Sequence, residues 1–188
     1  MEISVRKDFF KAVAAGMMIG IACMISLAVG GGYIGALLFS IGLVVIVLSG
    51  FNLYTGKVGY IKTYRDVPFV LLCLLGNIIG IFLASRVSQF DTLSIISEKL
   101  ADPMPLVFLR ALGCGYLMYA AVNTYKEKNT VIGTIGCVAA FILCGFEHSI
   151  ADLFYIMASS KLTLEMLPFI VTVIIGNGFG AMLHNLHE

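Results

Sequence analysis

Residues 138–153, VAAFILCGFEHSIADL, place an acid and a histidine, Glu147 and His148, inside an apolar span, shortly after the unbroken apolar run 138–143. An ionisable side chain at that depth is costly unless it is paired or wetted, so by default it marks a functional site. The two neighbours point about 100° apart on a helix and are therefore expected to do different jobs. Glu147 is expected to brace a helix break by accepting backbone N–H bonds, and His148 to face a path. The plainer alternative is that both lock helix ends together.

Outward from this stretch, the chain is written for a non-aqueous solvent. Hydrophobic residues make up 60% of the 188 and charged residues 12%, with a mean hydropathy of +0.99; a soluble domain carries about 25% charged residues. Apolar runs of about 20 residues, enough to cross a bilayer core, recur along the chain. The reading is an all-α membrane protein forming one transmembrane domain, 1–188, in contact with the lipid bilayer. Six spans are predicted: about Phe10–Val29, Ile34–Ile61, Val67–Val87, Pro105–Tyr125, Thr130–Ala158 and Met166–Leu183. The second and fifth are over-long and interrupted by polar residues near their middles. The link from Ser88 to Met104 is the one connection able to hold an extra short helix. The first run comes after Arg6 and Lys7 as a signal peptide would, but it ends in no convincing cleavage site, so it is read as a retained span.

A net charge of +1 gives no reason to expect a nucleic-acid partner. Cys23, Cys73, Cys114, Cys137 and Cys144 lie in apolar runs without CxxC spacing and read as small core residues rather than metal ligands. No metal or cofactor is expected. Lysine and arginine fall eight to four on the side of the termini (Arg6, Lys7, Lys11, Lys57, Lys62, Arg65, Lys126 and Lys128 against Arg86, Lys99, Arg110 and Lys161). This bias puts both termini in the cytoplasm.

The halves resemble each other. Phe51-Asn52-Leu53-Tyr54-Thr55 matches Phe146-Glu147-His148-Ser149-Ile150, and both run on to a Tyr-Ile pair. Gly76-Asn77-Ile78-Ile79-Gly80 recurs as Gly176-Asn177-Gly178-Phe179-Gly180. Three spans per half imply an inverted repeat, about 7–87 and 99–183, and paired broken helices in such repeats point to a substrate site near the midplane. The glycines alone are explained more simply by close helix packing.

Thr55 lies at the matching break, where Gly56 relieves the backbone. Its hydroxyl is able to donate to a substrate or to the His148 ring, or simply to bond its own backbone. Phe39 and Leu43 share a helix face. With Leu53, Tyr54 and Phe141 they form either apolar collars above and below His148 or plain packing and lipid contacts.

Gly145-Phe146-Glu147-His148-Ser149-Ile150-Ala151 is similar to the fifth-helix motif of the formate/nitrite transporter family, and Leu53-Tyr54-Thr55 resembles its second-helix loop. Both Gly-Asn-x-x-Gly segments also fit, so the resemblance runs from about Lys7 to Met182. It implies an aquaporin-like, inverted 3+3 arrangement of six spans in a homopentamer with one pore per protomer. It also implies passage of small monovalent anions or their acids, such as formate, nitrite, hydrosulfide, acetate or lactate. By the same resemblance, His148 and Thr55 are the central substrate-binding pair. The two apolar constrictions fall on Phe39, Leu43, Leu53, Tyr54 and Phe141, and the vestibule lysines on Lys7 (cytoplasmic) and Lys99 (outer). Two lysines in equivalent places of the halves would make a symmetric electrostatic funnel.

The sequence also departs from the family pattern. Asn52 replaces an acid, Tyr54 a Phe and Asp152 an Asn, and Gly115 stands where the fourth helix has an Asn near the pore. The one-two loop and the C-terminal tail are short. Asn52, Gly56, Glu147 and Asp152 are expected to be structural at the breaks. The expected mechanism is proton-linked passage through His148 in an inner cell membrane. The rivals are a channel for ammonia, urea or water, which Asn52 and Tyr54 favour, a non-transporting sensor, and an intramembrane enzyme. The last lacks an HExxH or a nucleophile to work with.

Overall fold

A computed structural model describes residues 2–186. Its α-helices are α1 (Glu2–Ala28), α2 (Gly32–Ser49), α3 (Val67–Arg86), α4 (Leu93–Ala101), α5 (Met104–Lys128), α6 (Ile132–Leu143), α7 (Ser149–Met157) and α8 (Met166–Asn185). Three 3-10 turns, Tyr54–Gly56, Val58–Tyr60 and Tyr64–Asp66, lie between α2 and α3. Five helices are long and apolar enough to cross a membrane: α1, α2, α3, α5 and α8. α6 is apolar but shorter. Ile34, Leu71, Leu109 and Leu167 are exposed on their outer faces, as contact with hydrocarbon requires. The Ser88–Met104 link does hold a short helix, α4.

Two of the predicted segments take a different form. Ile34–Ile61 is α-helical only as far as Ser49, and beyond its break the backbone forms 3-10 turns rather than helix. Thr130–Ala158 splits into α6 and α7, with residues 144–148 between them. Both breaks begin in one way. Gly50 and Gly145 take left-handed backbone (φ 63° and 64°), a conformation that costs glycine nothing. Phe51 N–H then reaches back to Ile46 O and Phe146 N–H to Phe141 O, both at 2.9 Å, the six-to-one bond that closes a helix end.

α1 packs along α3, and α5 along α8. The crossings are tight because glycine stands at them: a Cβ on Gly16 would lie 2.2 Å from Asn77 O, and one on Gly115 2.0 Å from Asn177 O. This corrects the reading of Gly115. It is not a pore position that has lost an asparagine side chain but a helix crossing with no room for any side chain.

Candidate functional site

Breaking a helix inside an apolar bundle frees backbone donors and acceptors that have no water to satisfy them. Two buried asparagines take them up. Asn77 Oδ1 accepts from Tyr54 N–H at 2.7 Å, while its Nδ2 donates to Ala12 O (2.8 Å) and Asn52 O (3.0 Å). Asn177 does the same for the second break, accepting from Ser149 N–H (2.8 Å) and donating to Ala111 O and Glu147 O (both 2.8 Å). Each amide thus ties a break to the neighbouring long helix. In the sequence both asparagines mark the repeat and the family motif, and nothing there shows what their amides bond.

His148 caps α7. Its Nδ1 accepts from Ala151 N–H at 3.1 Å, and its Nε2 lies 3.0 Å from Thr55 Oγ1. A nitrogen that accepts carries no proton, so the neutral ring bears its hydrogen on Nε2 and donates to Thr55. The Thr55 hydroxyl keeps its own proton free to donate elsewhere. Both residues are buried, and Phe141 stacks on the imidazole with centroids 5.5 Å apart.

Two cavities approach this pair. One, of about 140 Å³, is lined by Phe39, Phe141, Phe146, His148, Asp152 and Lys99. The other, of about 100 Å³, is lined by Ile46, Leu53, Gly56, Val122, Lys57 and Lys126. Each is several times the roughly 10–15 Å³ that one water centre needs and below the roughly 300 Å³ of a drug-sized site, so each suits a solute of a few heavy atoms. Lys57 and Lys126 mark the second as the side predicted cytoplasmic. In the sequence both lysines count only toward the charge bias, where nothing distinguishes them from other loop cations.

The remaining candidates sort by geometry. Phe39 and Phe141 meet edge to face at 6.1 Å beside His148, whereas Leu53 lines the second cavity and Leu43 is buried in the core. Tyr54 lines neither cavity, because its hydroxyl donates to Ile174 O of α8 at 3.0 Å. Asn52 also turns away, its amide donating to Asp8 O (3.1 Å) and Oδ1 (3.4 Å). The two polar departures that favoured a neutral solute are thus spent inside the protein.

Glu147 does not brace the break through backbone N–H groups as expected. Its carboxylate pairs with Lys99, whose Nζ also lies 3.1 Å from Asp152 Oδ1. Burial works against the Lys99 charge, but Asp152 and Glu147 outweigh it and hold the ammonium above the usual lysine range. Lys7 is exposed in α1 and lines neither cavity. The helix crossings that match Gly16 with Gly115 set Leu106 opposite Lys7, so Lys7 and Lys99 do not occupy equivalent places.

A model of the formate/nitrite transporter family matches residues 1–186. The uncharacterized transporter YrhG of Bacillus subtilis (strain 168) is 26% identical over 176 residues, 78% of this chain and 66% of the relative. The formate channel BtFdhC of Bacillus thuringiensis is 26% identical over 175 residues, 78% of this chain and 68% of the relative. The chain therefore spans about two thirds of the length of these relatives. Among solved structures, an FNT family ion channel superposes with TM-score 0.79 at 19% identity, covering 95% of this chain and 85% of that one. A pentameric formate channel with formate bound does so at 0.79 and 23%, covering 100% and 95%.

Proposed function

We propose that this chain, which belongs to the formate/nitrite transporter family, is a multi-pass membrane channel for small monovalent anions or their conjugate acids, with His148 and Thr55 at its centre. The observation that carries this reading is the contact of His148 Nε2 with Thr55 Oγ1 at 3.0 Å, with one small cavity lined by His148 itself and another lined by Leu53 and Gly56, on either side of Thr55 in the chain. A bare anion stalls among Phe39, Phe141 and Leu53, because burying an unpaired charge costs more than one contact returns. A hydrogen bond from the Thr55 hydroxyl, joined by one from Nε2–H where the anion displaces it from Thr55, offsets that cost, and a proton arriving with the anion removes it. Formate and nitrite are the first substrates to try, given the formate channels among the chain's relatives.

The scaffold fits six spans in two inverted halves within one domain, 1–188. In that arrangement α6 and α7 form the fifth span, and α2 with its 3-10 turns forms the second. The repeated asparagine bonds support the inversion, since the same amide chemistry recurs at each break. Assembly as a homopentamer in the lipid bilayer follows the pentameric relative, and the lysine bias supports an inner membrane with both termini cytoplasmic. Lys99 takes part at the outer mouth and Lys7 at the cytoplasmic face.

Formate and nitrite flux into proteoliposomes at about pH 5 and about pH 7, values that bracket the ordinary histidine range, tests the reading. His148→Phe is expected to lose most flux at both pH values. Equal flux in variant and wild type would remove His148 from the centre.

A further inference from the structure

Asp152 adds a second carboxylate to a buried site that already holds Glu147, and a single lysine serves both. Fully ionised, the trio carries an excess negative charge, and an uncompensated charge away from water is strongly unfavourable. The geometry shows where neutrality comes from. Asp152 is 1% exposed and lines the outer cavity. Its Oδ1 faces Lys99, but no donor faces its Oδ2. Both carboxylates reach the same Lys99 Nζ, and two carboxylates sharing one site raise the proton affinity of one of them.

We propose that Asp152 and Glu147 share one exchangeable proton beside Lys99, so that the outer mouth accepts an anion only while that proton is held. This deepens the anion-channel reading and rests on it. When the outer solution takes the proton, the mouth becomes net negative and repels anions in front of His148.

The inner mouth is built oppositely. Counting from the matched breaks, Gly50 with Gly145 and Tyr54 with Ser149, the place of Asp152 is taken by Lys57. The inner cavity is lined by Lys57 and Lys126 and by no carboxylate among the described residues; the one acid among them that shares a neighbouring cavity with these two lysines, Asp66, has its Oδ2 taken by the backbone N–H groups of Lys62 and Thr63. Asp8, the nearest acid on α1, is engaged by the Asn52 amide. Anions therefore enter from this side without waiting for a proton.

Other charged or titratable groups near Asp152 do not supply the missing donor. α4 brings Lys99 and the break brings Glu147 and His148. Tyr155 lies on α7 itself, and Cys23 of α1 and Cys114 of α5 are close enough to feel the Asp152 charge. Arg86 of α3 is turned to Met157 O at the far end of α7. Thr55 and Asn177 bring no charge.

Two measurements test the proposal. Infrared difference spectra of the purified protein during a pH change should contain a protonated-carboxyl C=O band that disappears in both Asp152→Asn and Glu147→Gln. Loss of no band in either variant overturns the shared proton, whatever the flux shows. In right-side-out and inverted membrane vesicles, the apparent KM for formate should rise about tenfold on the outer face between about pH 5 and about pH 8, the scale of one unit charge at short range in a partly wet site. On the inner face it should change little. Asp152→Asn should flatten the outer profile alone, and an unchanged outer profile in that variant overturns the gating. Wild-type vesicles without formate flux, in a protein whose carboxyl band behaves as stated, would refute the anion reading and still support the proton site.

Discussion

Thr55 Oγ1 and His148 Nε2 stand 3.0 Å apart although 93 residues separate them in the chain. The bond joins the two helix breaks, and its polarity is set from behind by Ala151 N–H, which occupies Nδ1. A hydroxyl that receives Nε2–H while keeping its own proton offers an entering anion one donor, and the anion gains a second only by taking Nε2–H from Thr55. Thr55→Val keeps the shape and removes the oxygen, leaving a buried Nε2–H without a partner at a cost of about 1–3 kcal/mol. The expected result is a severalfold loss of formate flux with assembly intact, and Thr55→Ser should restore most of it. Stopped-flow flux assays on the three proteins decide this, and full flux in Thr55→Val would contradict the role.

Asn77 and Asn177 each satisfy three backbone groups. Replacing either by Ala strands those groups in an apolar surrounding and should lower stability by about 3 kcal/mol. The two sites share no partner, so the double variant should lose roughly the sum. Unfolding of the purified protein in detergent measures this.

Gly115→Ala drives a Cβ into Asn177 O, whereas a Cβ on Gly136 meets nothing within 4 Å. The first should cost about 3 kcal/mol or abolish assembly, since backbone on both sides leaves little room to adjust. Gly136→Ala should be neutral or stabilising by up to about 1 kcal/mol, as expected for a helix position relieved of glycine. Thermal stability of the two variants separates a crowded crossing from a general intolerance of alanine.

How much of this is legible in the sequence depends on what kind of signal each residue gives. His148 is visible because a titratable group in an apolar run is costly, and Thr55 because the repeat sets it at the matching break. The partner of Glu147 is not visible: Lys99 lies 48 residues away on α4, and no periodicity links a connector helix to a break. Asn77 and Asn177 stand in plain view but are easily misjudged, since close packing explains Gly-Asn-x-x-Gly without asking what the amide does. Tyr54 and Asn52 suggest a polar path because spacing gives position along a chain and not side-chain direction. The 3-10 form after the first break is also out of reach, because apolar residues at that length suit either helix.

Tyr54→Phe tests that correction directly. The hydroxyl bonds Ile174 O and lines neither cavity, so its loss should cost about 1 kcal/mol of stability. The ratio of formate to urea or water permeability should stay where it was. A changed ratio would put the hydroxyl back on the path and revive the neutral-solute reading.

Lys99 gives a pH dependence of definite sign. Its folded-state pKa is raised above the ordinary 10.5, burial being outweighed by Asp152 and Glu147. A group raised on folding contributes its stabilisation in full below the unfolded value and loses it as the pH climbs through the folded one. Stability attributable to the Lys99 charge should therefore hold to about pH 10 and decline only above that. Lys99→Met should be less stable at neutral pH, because two buried carboxylates lose their counter-charge, and should lack this alkaline limb. Detergent unfolding curves from about pH 7 to about pH 12, a window spanning the lysine range, would show it. An alkaline decline of the same size in Lys99→Met would mean that the charge being lost belongs to another residue.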